Sequence, residues 1–290
     1  MICNPNRTII ERFPLQAIPS AELPGHSASI QMLIEMSGVH ATDTVLDVAC
    51  GPGLVACEFA AHARFVTGMD ITSRMIAAAR ERQAEKQLHN LAWQIGDVSL
   101  LPFSSNSFDI VLARYSFHHF EKPEMVLSEM IRVCKPGGRV LVADVVMPSD
   151  KAESYNQLEK IRDPSHVKAL EISKIVRLIH NSRLLDLKIQ QHKVEGEVEQ
   201  QLNISSPAPG DADKIRRLFR SDIDKDHLGI NVHLEGEAVR FAIPIVVLAG
   251  TKARCLYGLK RPPVAIPDSS FAGKTRRGPH SPPDGVASFL

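Results

Sequence analysis

An α/β fold built on a doubly wound, mostly parallel sheet is what the sequence predicts, and three observations carry it. Apolar strand-length runs alternate with helix-length stretches from Val45 to Val146, as in repeated βαβ units. The first run, Val45-Leu46-Asp47-Val48, breaks at Gly51-Pro52-Gly53 and re-enters as a helical stretch over 54–61. Glycines there remove the side chains that would keep a ligand from the backbone N–H groups, so a ligand belongs at the carboxyl ends of the strands. A second run, Arg64 to Asp70, also ends in an acid and leads into an alanine-rich helix over 71–80, with Thr72 or Ser73 as its N-cap.

The remaining elements follow in order. Residues 91–95 form a short strand, followed by Gly96-Asp97-Val98 and a loop. Residues 108–115 form the next strand, 123–134 a helix, and 139–145 a further strand after Lys135-Pro136-Gly137-Gly138. The spacing Gly51-x-Gly53-x-x-Ala56 fits a dinucleotide fingerprint, so the glycines alone leave the ligand open. Asp47 narrows it. A carboxylate inside an apolar strand needs a partner, which the ammonium of S-adenosylmethionine (SAM) supplies and the pyrophosphate of NAD does not. Asp70 lies 17 residues past Gly53, where an acid can accept both hydroxyls of an adenosine ribose.

Taken together, these five motifs over about one hundred residues resemble the class I SAM-dependent methyltransferases, most closely the small-molecule group that includes the ubiquinone/menaquinone C-methyltransferases. The resemblance implies a Rossmann-like sheet of seven strands with an antiparallel last strand and a helical insertion before strands six and seven. It implies that Asp47, Ala49, Gly51, Pro52 and Gly53 surround the methionine part of SAM and that Asp70 holds the ribose. Ile71 and Met75 would border the adenine, with Gly96, Asp97 and Val98 at its amino edge and Arg114 lining the pocket at the end of strand four. Ala49 departs from the glycine that the family often carries at that place.

Composition agrees with a globular enzyme. The chain has 290 residues, is 44% hydrophobic and carries a net charge of +1. Residues 251–290 hold a local +5, which leaves about −4 on the first 250. That balance argues against a nucleic-acid partner. The five cysteines form no CxxC pair and suggest reduced thiols in the cytoplasm, with no metal. No run approaches the roughly 18 apolar residues of a membrane span, so no membrane insertion is expected. The expected partner is a small-molecule substrate, with the chain as a monomer or homodimer.

Three parts are expected: an N-terminal segment and helix (1–40) over the cofactor mouth, a SAM-binding domain (41–250), and a flexible basic tail (251–290) rich in Pro and Gly. His26 lies in the first part. Within the domain, helices at 154–160 and 165–181 fall in a substrate-covering region (150–181), joined by a second covering region at 207–230 that contains a helix over 211–224. A strand at 187–194 and a last strand at 238–249 would close the sheet, with Pro244 at a bulge or unpaired position. Tyr115, Tyr155, Arg162 and His166 are substrate candidates, and a basic residue there could pair with an acidic substrate.

Methyl transfer from SAM needs alignment of the acceptor with the departing sulfur, and a base where the acceptor carries a proton. His118 and His119 follow strand four directly, and His119 is the preferred catalytic base; Asp144, at the end of strand five, is a further one. The product would be S-adenosylhomocysteine (SAH). Two alternatives stay open: a nucleotide-dependent oxidoreductase, although Glu159 stands where a Tyr155-x-x-x-Lys pair would need lysine, and a SAM-binding protein without turnover.

Overall fold

The computed structural model describes residues 26–205 and 207–254. Its strands are β1 (Thr44–Val48), β2 (Phe65–Asp70), β3 (Leu91–Ile95), β4 (Phe108–Arg114), β5 (Cys134–Met147), β6 (Leu170–Glu171), β7 (Leu185–Glu197), β8 (His233–Glu235) and β9 (Ala238–Thr251). Its helices are α1 (His26–Ser37), α2 (Leu54–Ala60), α3 (Ser73–Glu85), α4 (Pro123–Val133), α5 (Ala152–Arg162), α6 (Ile172–Asn181), α7 (Val198–Ser205) and α8 (Asp211–Asp222). Seven strands line up as β3-β2-β1-β4-β5-β9-β7. The first five pair in parallel, and β9 lies antiparallel between β5 and β7. The doubly wound sheet with an inserted antiparallel last strand is therefore as expected. The sequence reading did not anticipate β6, β8 or α7.

Strand alternation explains why the apolar runs are nearly continuous: the sheet is covered on both faces. Val45, Ile110, Leu112, Leu141, Ala143 and Val247 face one side and pack with Ile30 and Leu33 of α1 and Val55 and Phe59 of α2. Their neighbours Leu46, Val111, Ala113, Val140, Val142 and Val246 face the other side, against Val126, Leu127 and Met130 of α4 and Ile175 and Ile179 of α6. A third apolar cluster lies past the carboxyl ends of the strands, where Val145, Met147, Phe241 and Ile245 meet Tyr155 and Leu158 of α5, Leu202 of α7 and Phe219 of α8. That cluster floors the region where α/β sheets bind ligands.

One local expectation changes, and another narrows to one of its alternatives. Residues 165–171 are not helical; the helix begins only at Ile172. Asp163 accepts from the N–H of Ser165, and the N–H groups of Val167 and Lys168 both donate to the carbonyl of His118 at 3.0 Å. Those long-range bonds take the donors a helix would use. Pro244 sits in no bulge: it stays in register with Lys193 of β7, one residue beyond the end of the β5 ladder at Ile245. Its missing N–H therefore falls where that ladder has already stopped. No described helix is long and apolar enough to cross a membrane. The expected tail beyond Arg254, residues 1–25 and the side chain of His26 lie outside the described residues.

Candidate active site

The turn between β1 and α2 is built from positive-φ residues: Ala49 (φ 57°), Gly51 (53°) and Gly53 (79°). The two glycines serve different ends. A Cβ on Gly51 would meet nothing within 4 Å, so Gly51 is needed for its backbone angle and leaves open space above the turn. A Cβ on Gly53 would stand 2.7 Å from Trp93 and 2.9 Å from Ala79, so Gly53 lets the start of α2 seat against α3 and β3. Asp70 locks the turn. One of its oxygens accepts the N–H of Gly51 at 2.9 Å, and the other accepts the N–H of Thr72 at 2.9 Å and the Thr72 hydroxyl. The oxygen bonded to Gly51 takes one of these three bonds, so its second lone pair is left as acceptor capacity toward the cavity, while the other oxygen is filled by Thr72.

Asp47 is the unusual group. It is 1% exposed, and its Oδ2 has no hydrogen-bond partner among the described residues. Loss of water pushes its pKa up to about 8, although an N–H bond from Ala56 and the nearby Arg114 pull the other way. A buried carboxyl left this way is completed by a cationic ligand group.

A cavity of about 600 Å³ opens at the carboxyl ends of β1, β2, β4 and β5. Asp47, Ala49, Gly51, Pro52, Asp70 and Ile71 line one end, with Asp97, Val98 and Arg114 beside them. Three expected contacts stand back from it. Met75 is fully buried behind the wall. Gly53 packs against Trp93, and Gly96 packs against the methyl of Met69, where a Cβ would come within 2.5 Å. Arg114 donates to the Ser29 hydroxyl of α1 at 2.9 Å and lies 4.0 Å over the Tyr115 ring, whose own hydroxyl donates to Ser29 at 3.0 Å. Helix α1 is thereby tied to the cavity wall.

The other end gathers the histidines. After β4 the chain makes a single tight turn over Phe117–His119, held by the Phe117 N–H donating to Asp144 Oδ2 at 2.6 Å. The other Asp144 oxygen lies 2.6 Å from His118 Nδ1. Burial opposes ionisation of both, but their mutual attraction wins: the His118 pKa is raised and that of Asp144 is lowered. His119 stacks 4.1 Å away, with Nδ1 at 3.0 Å from the Ser165 carbonyl, and burial and the neighbouring His118 push its pKa down to about 3. His166 lies 5.5 Å from the His118 ring.

Tyr155, Arg162 and His166 all reach this cavity, as does Tyr115. Arg162 is already occupied: its guanidinium pairs with Glu159 at 2.9 and 3.1 Å and reaches the Ser205 hydroxyl. The expectation of a free basic group for an acidic substrate does not hold for it. Sequence reasoning missed Ser29, Asn156, Glu159, Asp163 and Ser165. Of these, only the Asp163-Pro164-Ser165 turn carried a local signal.

A sequence model of the family described as methyltransferase domain matches residues 46–142. The chain is 29% identical over 225 residues to the uncharacterized methyltransferase YcgJ of Bacillus subtilis (strain 168), covering 76% of this chain and 89% of that one. It is 35% identical over 121 residues to the ubiquinone/menaquinone biosynthesis C-methyltransferase UbiE of Teredinibacter turnerae, covering 40% of this chain and 49% of the relative. It thus spans about half the length of that quinone-pathway relative. The crystal structure of Bacillus YcgJ superposes with a TM-score of 0.73 at 26% identity, over 79% of this chain and 99% of YcgJ.

Proposed function

We propose that this chain, a SAM-dependent methyltransferase with its methyltransferase domain over residues 46–142, transfers a methyl group to a small uncharged acceptor and that His118 takes the acceptor's proton. The observation that carries the cofactor half is Asp47, a buried carboxyl with an unpartnered oxygen near the end of β1, beside a turn with open space above Gly51. SAM supplies an ammonium that would complete Asp47 and a methyl group on a sulfonium. Asp70, Ile71, Asp97 and Val98 would hold its nucleoside end. The acids oppose a pyrophosphate, which argues against the oxidoreductase alternative.

For the acceptor half, the chain's own groups suffice. Asp144 fixes His118 with Nδ1–H toward the carboxylate, so Nε2 carries the lone pair that takes a proton. The resulting imidazolium is held by an ion pair at 2.6 Å. His119 is the poorer base of the two, since its surroundings disfavour the charged form. The cavity walls would orient the acceptor, which is most of what in-line transfer requires. A cavity of about 600 Å³ supports a small-molecule acceptor, and the likeness to a C-methyltransferase supports a nucleophile that must first lose a proton.

Thermal-shift measurement with SAM, SAH and NAD tests the first half. SAM and SAH stabilise the protein by about 2–3 kcal/mol at a hundredfold excess over Kd; stabilisation by NAD alone contradicts it. Incubation with methyl-labelled SAM and a metabolite extract, followed by a search for a labelled product, tests turnover against the binding-only alternative.

A further inference from the structure

The wall around His166 holds an acceptor atom that nothing among the described residues uses. His166 is 4% exposed, and its Nε2 lies 2.7 Å from Asn156 Oδ1. The same Oδ1 receives the N–H of Ala169 at 2.7 Å. A backbone N–H can only donate, so Oδ1 is an acceptor and His166 Nε2 must carry the hydrogen. Nδ1 is left with a bare lone pair, buried and without a partner among the described residues. Burial and the neighbouring His118 hold the ring neutral, its pKa pushed down to about 4. An unpaired buried acceptor is costly, and His166 lines the cavity, so a donor on a ligand seated there would relieve that cost.

Charge around the same cavity narrows that ligand. Glu121, Glu195 and Glu197 line it without an ion pair among the described residues, while Arg162 is occupied by Glu159. Lys122 stands exposed at the mouth. A carboxylate or phosphate on the acceptor would meet these three carboxylates, with Lys122, as exposed as Glu121 and Glu195, as the unpaired lysine on the described lining.

We infer that His166 is a specificity-determining residue, whose Nδ1 accepts a hydrogen bond from an O–H or N–H of a methyl acceptor that bears no anionic group. This rests on the methyltransferase reading, and the two fail separately. Nuclear magnetic resonance of the full chain labelled with 15N-histidine and saturated with SAH is expected to show His166 neutral, with the hydrogen on Nε2, from pH 5 to 8. The opposite tautomer, or a charged ring, overturns the inference whether or not an acceptor has been found. Methylation is then compared across phenols, benzyl alcohols and anilines and their carboxylated or phosphorylated counterparts. Uncharged members are expected to react and anionic ones to fall about a hundredfold or more in kcat/KM. With the best acceptor, His166→Phe is expected to lose about ten- to hundredfold in kcat/KM, mainly through KM, with the SAM Kd within twofold of wild type. His166→Asn, which keeps an acceptor near Nδ1, recovers most of that loss. Preference for the anionic members, or a His166→Phe enzyme as active as wild type, overturns the inference. Absence of SAH binding overturns the methyltransferase reading instead.

Discussion

At the scale of single residues, three side chains behave differently from what their type alone suggests. Ala49 holds φ 57°, an angle that costs an L-residue with a Cβ roughly 1 kcal/mol. Ala49→Gly should therefore stabilise the protein by about 0–1 kcal/mol, the strain relief being partly offset by glycine's larger entropy when unfolded; urea denaturation checks it. Asp47 was legible from the sequence as a cofactor acid, because an acid within an apolar strand stands out. Its isolation was not, since that depends on how many N–H groups the turn aims at it. The choice between His118 and His119 could not be made from sequence: adjacent histidines look alike until Asp144, 26 residues past His118, is seen against that one. His118→Ala and Asp144→Asn should each lower kcat by about 10²-fold or more, whereas His119→Ala has the smaller effect on kcat. Because Asp144 raises the His118 pKa, the basic form appears only above the ordinary histidine range. The rate should rise with pH through an inflection above 6.5, and in Asp144→Asn that inflection should move down.

Among the elements, the parallel strands and their helices were readable, because both-face burial leaves unbroken apolar runs and glycines punctuate them. The stretch 165–171 was not. Its residues suit a helix, but the carbonyl of His118 and the carboxylate of Asp163 claim its N–H groups and turn it into a loop that carries His166 to the cavity. Asp163 also accepts the Ser165 hydroxyl at 2.6 Å, and Ser165 in turn holds His119. Asp163→Ala should cost about 1–3 kcal/mol of stability by chemical denaturation. It should also lower activity more than SAM affinity, because the loop serves the acceptor end only. Helix α7 escaped notice for a different reason. Its buried positions Val198, Leu202 and Ser205 keep helical spacing, yet Glu199, Gln200 and Gln201 make the segment read as polar loop.

For the whole molecule, the buried ionisable groups oppose one another across the pH scale. The Asp47 pKa is raised from 3.8 to about 8, so the folded state holds a proton that the unfolded state releases. Stability of the ligand-free protein therefore falls as pH rises from about 4 to 8, by up to about 1.4 kcal/mol per unit from this one group. His119 and His166 act in the other direction. Both are held neutral when folded, so stability falls as pH drops below 6.5 toward their depressed values of about 3 and about 4. Thermal melts across pH 4–9 should show the ligand-free wild type losing stability on the alkaline side. Asp47→Asn should lessen that loss, leaving the part that the raised His118 pKa contributes, and melt higher than wild type at pH 8. A cation seated against Asp47 removes the same penalty, so stabilisation by SAH should grow with pH through this window.

One titration bears on both the cofactor and its recognition. Isothermal calorimetry of SAH into the full chain at pH 6.5, repeated in buffers of different ionisation enthalpy, counts the protons that binding releases. If the SAH ammonium displaces the Asp47 proton, wild type releases close to one proton per ligand. Asp47→Asn should release none and bind about ten- to hundredfold more weakly. Failure of SAH to bind, or binding by wild type with no proton released, would contradict the assignment of Asp47 and the turn beside it as the seat of a cationic nucleoside.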